Sequence, residues 1–135
     1  MTAPPLDEAD EVLFRQIHPN FFENSHPGSL QFAPTPKDEG KLSVDRSSLT
    51  DAAGAHALFT GNGFESAAVY GLTVAEFNAE SLRCYSDPLK AAGTLAANPA
   101  HAYADFATFN ANQHKKIAKR LRNVAVKRGR LHPTA

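Results

Sequence analysis

From about Ala111 to Arg128 apolar residues recur at helical spacing: Ile117, Leu121, Val124 and Ala125 share a stripe, and Lys115, Lys116, Lys119, Arg120, Arg122 and Lys127 fill the opposite arc. Such a helix is marginal alone in water, so the rest of the chain must supply an apolar surface for it to lie on. Gly129 supplies a stop signal and Pro133 follows it. This one segment therefore fixes how the chain ends and asks for a sheet beneath it.

The basic arc also unbalances the charge. Up to Asp105 there are six basic and all fourteen acidic residues; after it there are eight basic and no acidic ones, so a formal net charge of zero hides halves of −8 and +8. Segregation of this kind says that the last thirty residues meet something anionic: the rest of this protein, a partner protein or nucleic acid. The acidic group Asp7, Glu8, Asp10 and Glu11 is the internal candidate. For nucleic acid, the lack of aromatics after Phe109 favours duplex or structured RNA over single strands.

At 135 residues the chain suits one domain, able to bury about two thirds of its unfolded surface without disulfide or metal support. Nine Phe and three Tyr supply bulky core material in the absence of Trp. The single cysteine, Cys84, has no internal partner, and neither a signal peptide nor a bilayer-length apolar run is present, so the chain reads as cytoplasmic with no membrane association. The expected organisation is a disordered tail at 1–5, one α+β domain at 6–131 and a short tail at 132–135.

Within that domain EVLFRQI has the bulk of a strand. Residues 18–36 hold five helix-breaking residues, Pro19, Pro27, Gly28, Pro34 and Pro36, which leave only short extended pieces such as SLQFA. KDEG turns into KLSVDR, a strand with Leu42 and Val44 facing one side and Ser43 and Asp45 the other. Thr50 suits the N-cap of a helix at about 51–60, and Gly61 suits its left-handed C-terminal position. ESAAVYGLTV is the best candidate for the central strand. AEFNAE suits a short helical turn, SLRCY a strand closed by SDP, and AHAYADF a last strand with His101, Tyr103 and Asp105 on one face. The sum predicts a mainly antiparallel sheet, a short central helix and the basic C-terminal helix packed on it.

Chemistry-bearing residues collect at strand ends. Arg15, His18, His26, Ser43, Asp45, Arg46, His101 and Asp105 form the set, and histidine beside carboxylate is what general acid–base catalysis requires. The catalytic candidates are His18, Ser43, His101 and Asp105. Arg15 shares a strand face with Leu13 and Ile17, so a core-side arginine bonded to a carboxylate is expected. The histidine spacings match no structural zinc pattern, Cys84 suits a half-buried strand thiol, and no nucleophile elbow, Walker lysine or dinucleotide fingerprint is present. No metal and no cofactor is expected on these grounds.

Together RQIHP, SLQFAPTPKDEGKLSVDRSS, SDP with NPAHAYADF, and AKRLRNVAVKRG resemble a group of small bacterial proteins sharing HP, PTPKDEGKLSV, DP and NPAHA landmarks, over residues from about 11 to 131. The resemblance implies a bacterial single-domain protein and carries no activity with it. A fainter likeness is to compact NAD-using ADP-ribosyltransferase folds, in which an early strand bearing Arg or His and a later Ser or Phe segment line a nicotinamide cleft. There Glu76 in TVAEF, or Asp105, would stand for the late Glu.

Two readings follow. In the favoured one the chain is a non-enzymatic accessory module, in a setting such as a toxin, immunity or defence system, that binds a protein or nucleic acid through Lys115, Lys116, Lys119, Arg120, Arg122 and Lys127 together with the proline-containing 18–40 segment. In the alternative it is a small group-transfer enzyme with His18, Ser43, His101 and Asp105 around one cleft.

Overall fold

A computed structural model describes residues 4–23 and 26–133. Its strands are β1 (Val12–Ile17), β2 (Phe22–Glu23), β3 (His26–Pro27), β4 (Lys41–Arg46), β5 (Ala68–Thr73), β6 (Cys84–Ser86) and β7 (His101–Asp105); its helices are α1 (Ala52–Gly61), α2 (Val74–Ala79) and α3 (Ala111–Arg128). Five strands make one antiparallel sheet in the order β5-β1-β4-β7-β6, and β2 pairs with β3 apart from it. This is an α+β fold, and no helix among the described residues is long and apolar enough to cross a membrane.

Alternation along the strands sets the two faces. Leu13, Ile17, Leu42, Val44, Leu72, Cys84, Ala102 and Ala104 point inward and form one cluster with Phe32, Phe77, Phe106 and the α3 residues Ile117, Ala118, Leu121 and Ala125. On the outer face Phe14 and Val69 pack with Ala55 of α1. The α3 stripe thus sits slightly earlier than its pattern suggests: Ala118 is buried at 1% exposure while Val124 is 37% exposed.

Several local readings need correction. SLQFA contains a 3-10 turn at Ser29–Phe32, which drives Phe32 fully into the core. The N-cap of α1 is Asp51, whose carboxylate accepts from the Gly54 amide at 2.7 Å, one residue beyond Thr50. Left-handed backbone after α1 falls on Gly63, φ 91°, with Gly61 still inside the helix. The largest change concerns β5. It lies at the end of the sheet, and its open side is covered by the chain end: the Leu131 amide donates to the Val69 carbonyl at 2.9 Å and the Val69 amide to the His132 carbonyl at 2.8 Å. Gly71 permits that approach, since a Cβ there would meet Leu131 at 2.6 Å and Val12 at 2.7 Å. At the other edge Pro5 bridges Tyr85 and the Leu6 amide donates to the Cys84 carbonyl. Pro5 and His132, expected in the tails, both belong to sheet edges; residues 1–3, 134 and 135 of those tails lie outside the described residues.

Two buried polar devices hold the sheet together. Pairing between β1 and β4 runs through Leu13 with Arg46 and Phe14 with Asp45. Beyond that point the Arg15 guanidinium spans the gap, donating to the Gln31 carbonyl at 2.6 Å and the Ser43 carbonyl at 3.1 Å. Its partners are carbonyls, not the carboxylate expected. Burial pulls its pKa down to about 10, against the field of Asp38. At the start of β1, Glu11 accepts two bonds from Arg46 at 3.0 Å each and one from the Ser48 hydroxyl at 2.6 Å. Burial pushes the Glu11 carboxyl up, but the hydrogen bonds from Arg46 and Ser48 outweigh it and hold it below the ordinary carboxylate range.

Glu11→Gln keeps the volume and removes the charge, leaving Arg46 half-satisfied; it is expected to cost about 2 to 3 kcal/mol at pH 7. Because the folded carboxyl lies below its ordinary value of 4.5, its contribution is complete above that pH and fades as the pH falls through the lower folded value. Urea titrations of both proteins at pH 7 and pH 3 check this: the difference between them should shrink in acid, and a constant difference would contradict it.

Candidate functional site

A groove of about 620 Å³ lies between the proline-containing segment and α3. Its floor and walls are apolar, with Leu30, Ala33, Pro34, Ala107, Phe109 and Ala118 among them, while Lys115 and Lys119 stand on the helix rim and Glu39 on the opposite wall. The sequence builds each wall separately. Thr35 and Asp38 form a capping box, in which the Asp38 carboxylate accepts from the Thr35 amide at 2.8 Å and hydroxyl at 2.6 Å. Glu39 and Gly40 then take φ of 55° and 81°, turning the chain into β4; a Cβ on Gly40 would lie 2.9 Å from the Ala107 Cα, so only glycine closes this corner.

The opposite wall is α3, started by a second capping box. Asn110 accepts from the Gln113 amide at 2.9 Å and Gln113 accepts from the Asn110 amide at 2.8 Å. Beneath it His114 sets its ring edge-on to Phe106, with centroids 5.2 Å apart, and its Nε2 donates to the Phe106 carbonyl at 3.0 Å. That bond fixes the proton on Nε2 and makes His114 a strut. Arg122 fastens the far end by donating to the Pro27 carbonyl at 3.1 Å.

The six cations expected to face a partner therefore divide. Arg120 is paired with Glu80 at 2.7 Å and Arg122 holds Pro27. Arg128, outside that set, grips Glu76 at 2.7 Å and donates to the Gly71 carbonyl at 2.9 Å. Burial raises the Glu76 carboxyl, but the bonds from Arg128 and Thr73 hold it below the ordinary range. Among the described residues no carboxylate lies in ion-pair reach of Lys115, Lys116, Lys119 or Lys127, and all four are exposed. The internal partners of the helix are Glu76 and Glu80, and not the acidic group at residues 7–11. The T-x-x-E spacing of Thr73 and Glu76 was a usable signal for the first of them.

The proposed catalytic residues do not assemble. Ser43, His101 and Asp105 share the outer face of β4 and β7, where Ser43 faces Tyr103, His101 faces Asp45 and Asp105 faces Lys41. His101 Nδ1 lies 2.9 Å from the Asp87 carbonyl and 3.3 Å from its carboxylate, and Asp105 accepts from the Ala107 amide at 2.9 Å. No bond joins Ser43 to either. His18 caps the turn at Pro19–Phe21 and approaches Glu65 at 3.7 Å. It lies four residues past Phe14, which shares Asp45 as a cross-strand neighbour with His101, so the two histidine backbones are about 16 Å apart at the usual strand rise and spacing. Elsewhere burial pushes the Cys84 thiol up to about 12, which silences it as a nucleophile at neutral pH. Among the described residues no three His, Cys, Asp or Glu side chains gather as a metal cluster.

No family model, no curated protein and no solved structure matches this chain.

Asp45 is the outer-face residue whose charge is least comfortable. It is 8% exposed, accepts from Asn98 at 2.8 Å, and is pushed up by burial against the opposing effects of Asn98 and His101. A raised folded pKa means the ionised form costs stability at neutral pH and that this cost disappears as the pH falls. Asp45→Asn retains an oxygen for Asn98 and is expected to stabilise the fold by roughly 0.5 kcal/mol or more at pH 7. Urea unfolding checks it; the gain should shrink by pH 4, and a loss at pH 7 would contradict the burial argument.

Proposed function

We propose that this chain is a non-enzymatic binding module whose groove between residues 29–40 and α3 takes part of a protein partner. The observation that carries this reading is an apolar groove of about 620 Å³ with two lysines on its rim that have no carboxylate partner among the described residues. Apolar floor with a charged edge is the common anatomy of a binding cleft, and a lysine left beside it supplies attraction and register more than affinity.

Protein suits the site better than nucleic acid does. Arginine is the residue matched to phosphate by its planar fork, yet Arg120, Arg122 and Arg128 are all engaged with groups of the chain itself. What remains is lysine beside apolar surface, and no aromatic follows Phe109 to stack a base. An enzyme is disfavoured by the separation of His18 from His101 and by the missing bond between Ser43 and a base.

A photo-crosslinking residue placed at Leu30, 59% exposed on the groove, or at Leu49, 55% exposed at the far end of β4, tests the reading in cells. Protein adducts should form several-fold more strongly from position 30 and fade when Lys115→Glu and Lys119→Glu are combined. Equal adducts from both positions, or adducts to nucleic acid alone, would contradict it.

A further inference from the structure

The groove follows α3 from Ala111 to Lys119, which at 1.5 Å per residue is about 12 Å. That length accommodates about three or four residues of extended chain at roughly 3.3 Å each. Lys115 and Lys119 are one helical turn apart on the rim, with side chains about 6 Å from each other. Side chains on the same side of an extended segment recur about every 6.7 Å, close to that spacing. An intervening residue points the opposite way, and here it would meet the apolar surface of Leu30, Ala33 and Pro34 on the facing wall.

Resting on the binding-module reading, we infer that the groove recognises an extended protein segment with the pattern acidic–apolar–acidic. Its two carboxylates lie along Lys115 and Lys119, and its central aliphatic or aromatic side chain fills the floor. Glu39 on the far wall enforces the orientation, because a carboxylate placed on that side would face like charge. The helix lysines are available for this because the arginines that could have competed are bound to Glu80, Pro27 and Glu76. Nucleic acid would leave the apolar floor unfilled, and a fatty carboxylate would engage one lysine and leave the second idle.

The test is an amide-resolved NMR titration of the full chain with an acetylated, amidated Gly-Glu-Phe-Glu-Gly peptide, alongside Gln-Phe-Gln, Glu-Ala-Glu and Lys-Phe-Lys versions, decanoate and a short oligothymidylate. The Glu-Phe-Glu peptide should shift amides of residues 29–40 and 111–119, and each neutral or anchorless version should bind at least about tenfold more weakly, the equivalent of about 1.4 kcal/mol. Leu30→Asp and the Lys115→Glu, Lys119→Glu pair should each abolish the shifts while leaving the remaining amide spectrum in place. Equal binding by Lys-Phe-Lys, tighter binding by decanoate or oligothymidylate, or shifts elsewhere would overturn the proposal. If the peptide fails while crosslinking at Leu30 persists, the acidic pattern is wrong and the module reading stands; if both fail, the module reading falls with it.

Discussion

The stripe formed by Ile117, Ala118, Leu121 and Ala125 enters the same core as Leu13, Leu42, Val44 and Leu72 of the sheet's inner face. Docking of α3 on that face is the interaction from which the remaining features follow. Burial of Ile117 or of Leu121 is worth about 1.5 to 3 kcal/mol, so the stripe outweighs any exposed ion pair on the same helix. Once the stripe is seated, the polar arc has no freedom. One flank meets Glu76 of α2 and Glu80 just after it, and the other runs beside the proline-containing segment and leaves a groove there.

The charge segregation takes its meaning from that geometry. Part of the positive end is neutralised at short range: Arg120 by Glu80 and Arg128 by Glu76. These contacts orient the helix, because Arg128 also holds the Gly71 carbonyl and joins α3 to β5. The lysines are left over, and a lysine on an exposed rim with no local partner retains its long-range attraction for an anion. Division of labour between arginine and lysine is therefore what separates the part of the basic arc that builds the fold from the part available to a partner.

Much of this fold could be read from the residues. The bounds of α3, the alternation in KLSVDR and AHAYADF and the turn at KDEG all rest on local rules of period and cap, and local rules suffice where one face is buried and the other wet. β5 misled because a strand buried on both faces reads as central whatever covers it; here α1 and residues 131–132 do the covering, and that closure is a long-range event. Arg15 misled for a related reason. An arginine among core residues needs acceptors, but sequence cannot say whether they are carboxylates or, as here, the carbonyls of a 3-10 turn and a strand. The groove was half legible: the helix and the proline-containing segment each read as a surface, whereas their juxtaposition depends on Phe32 and Phe106 entering one core. The scattered His, Ser and Asp set was legible as residues only, since register decides which of them meet.

Native-state hydrogen exchange on α3 addresses the central claim most directly, because a helix that completes the core cannot open without exposing the sheet beneath it. The amides of Ile117, Leu121 and Ala125 should exchange only through global unfolding, with the same free energy as those of β1 and β4 and the same dependence on denaturant. Exchange of the α3 amides near random-coil rates while β1 and β4 stay protected would show that the helix is an appendage, and the groove and its lysine rim would lose their basis.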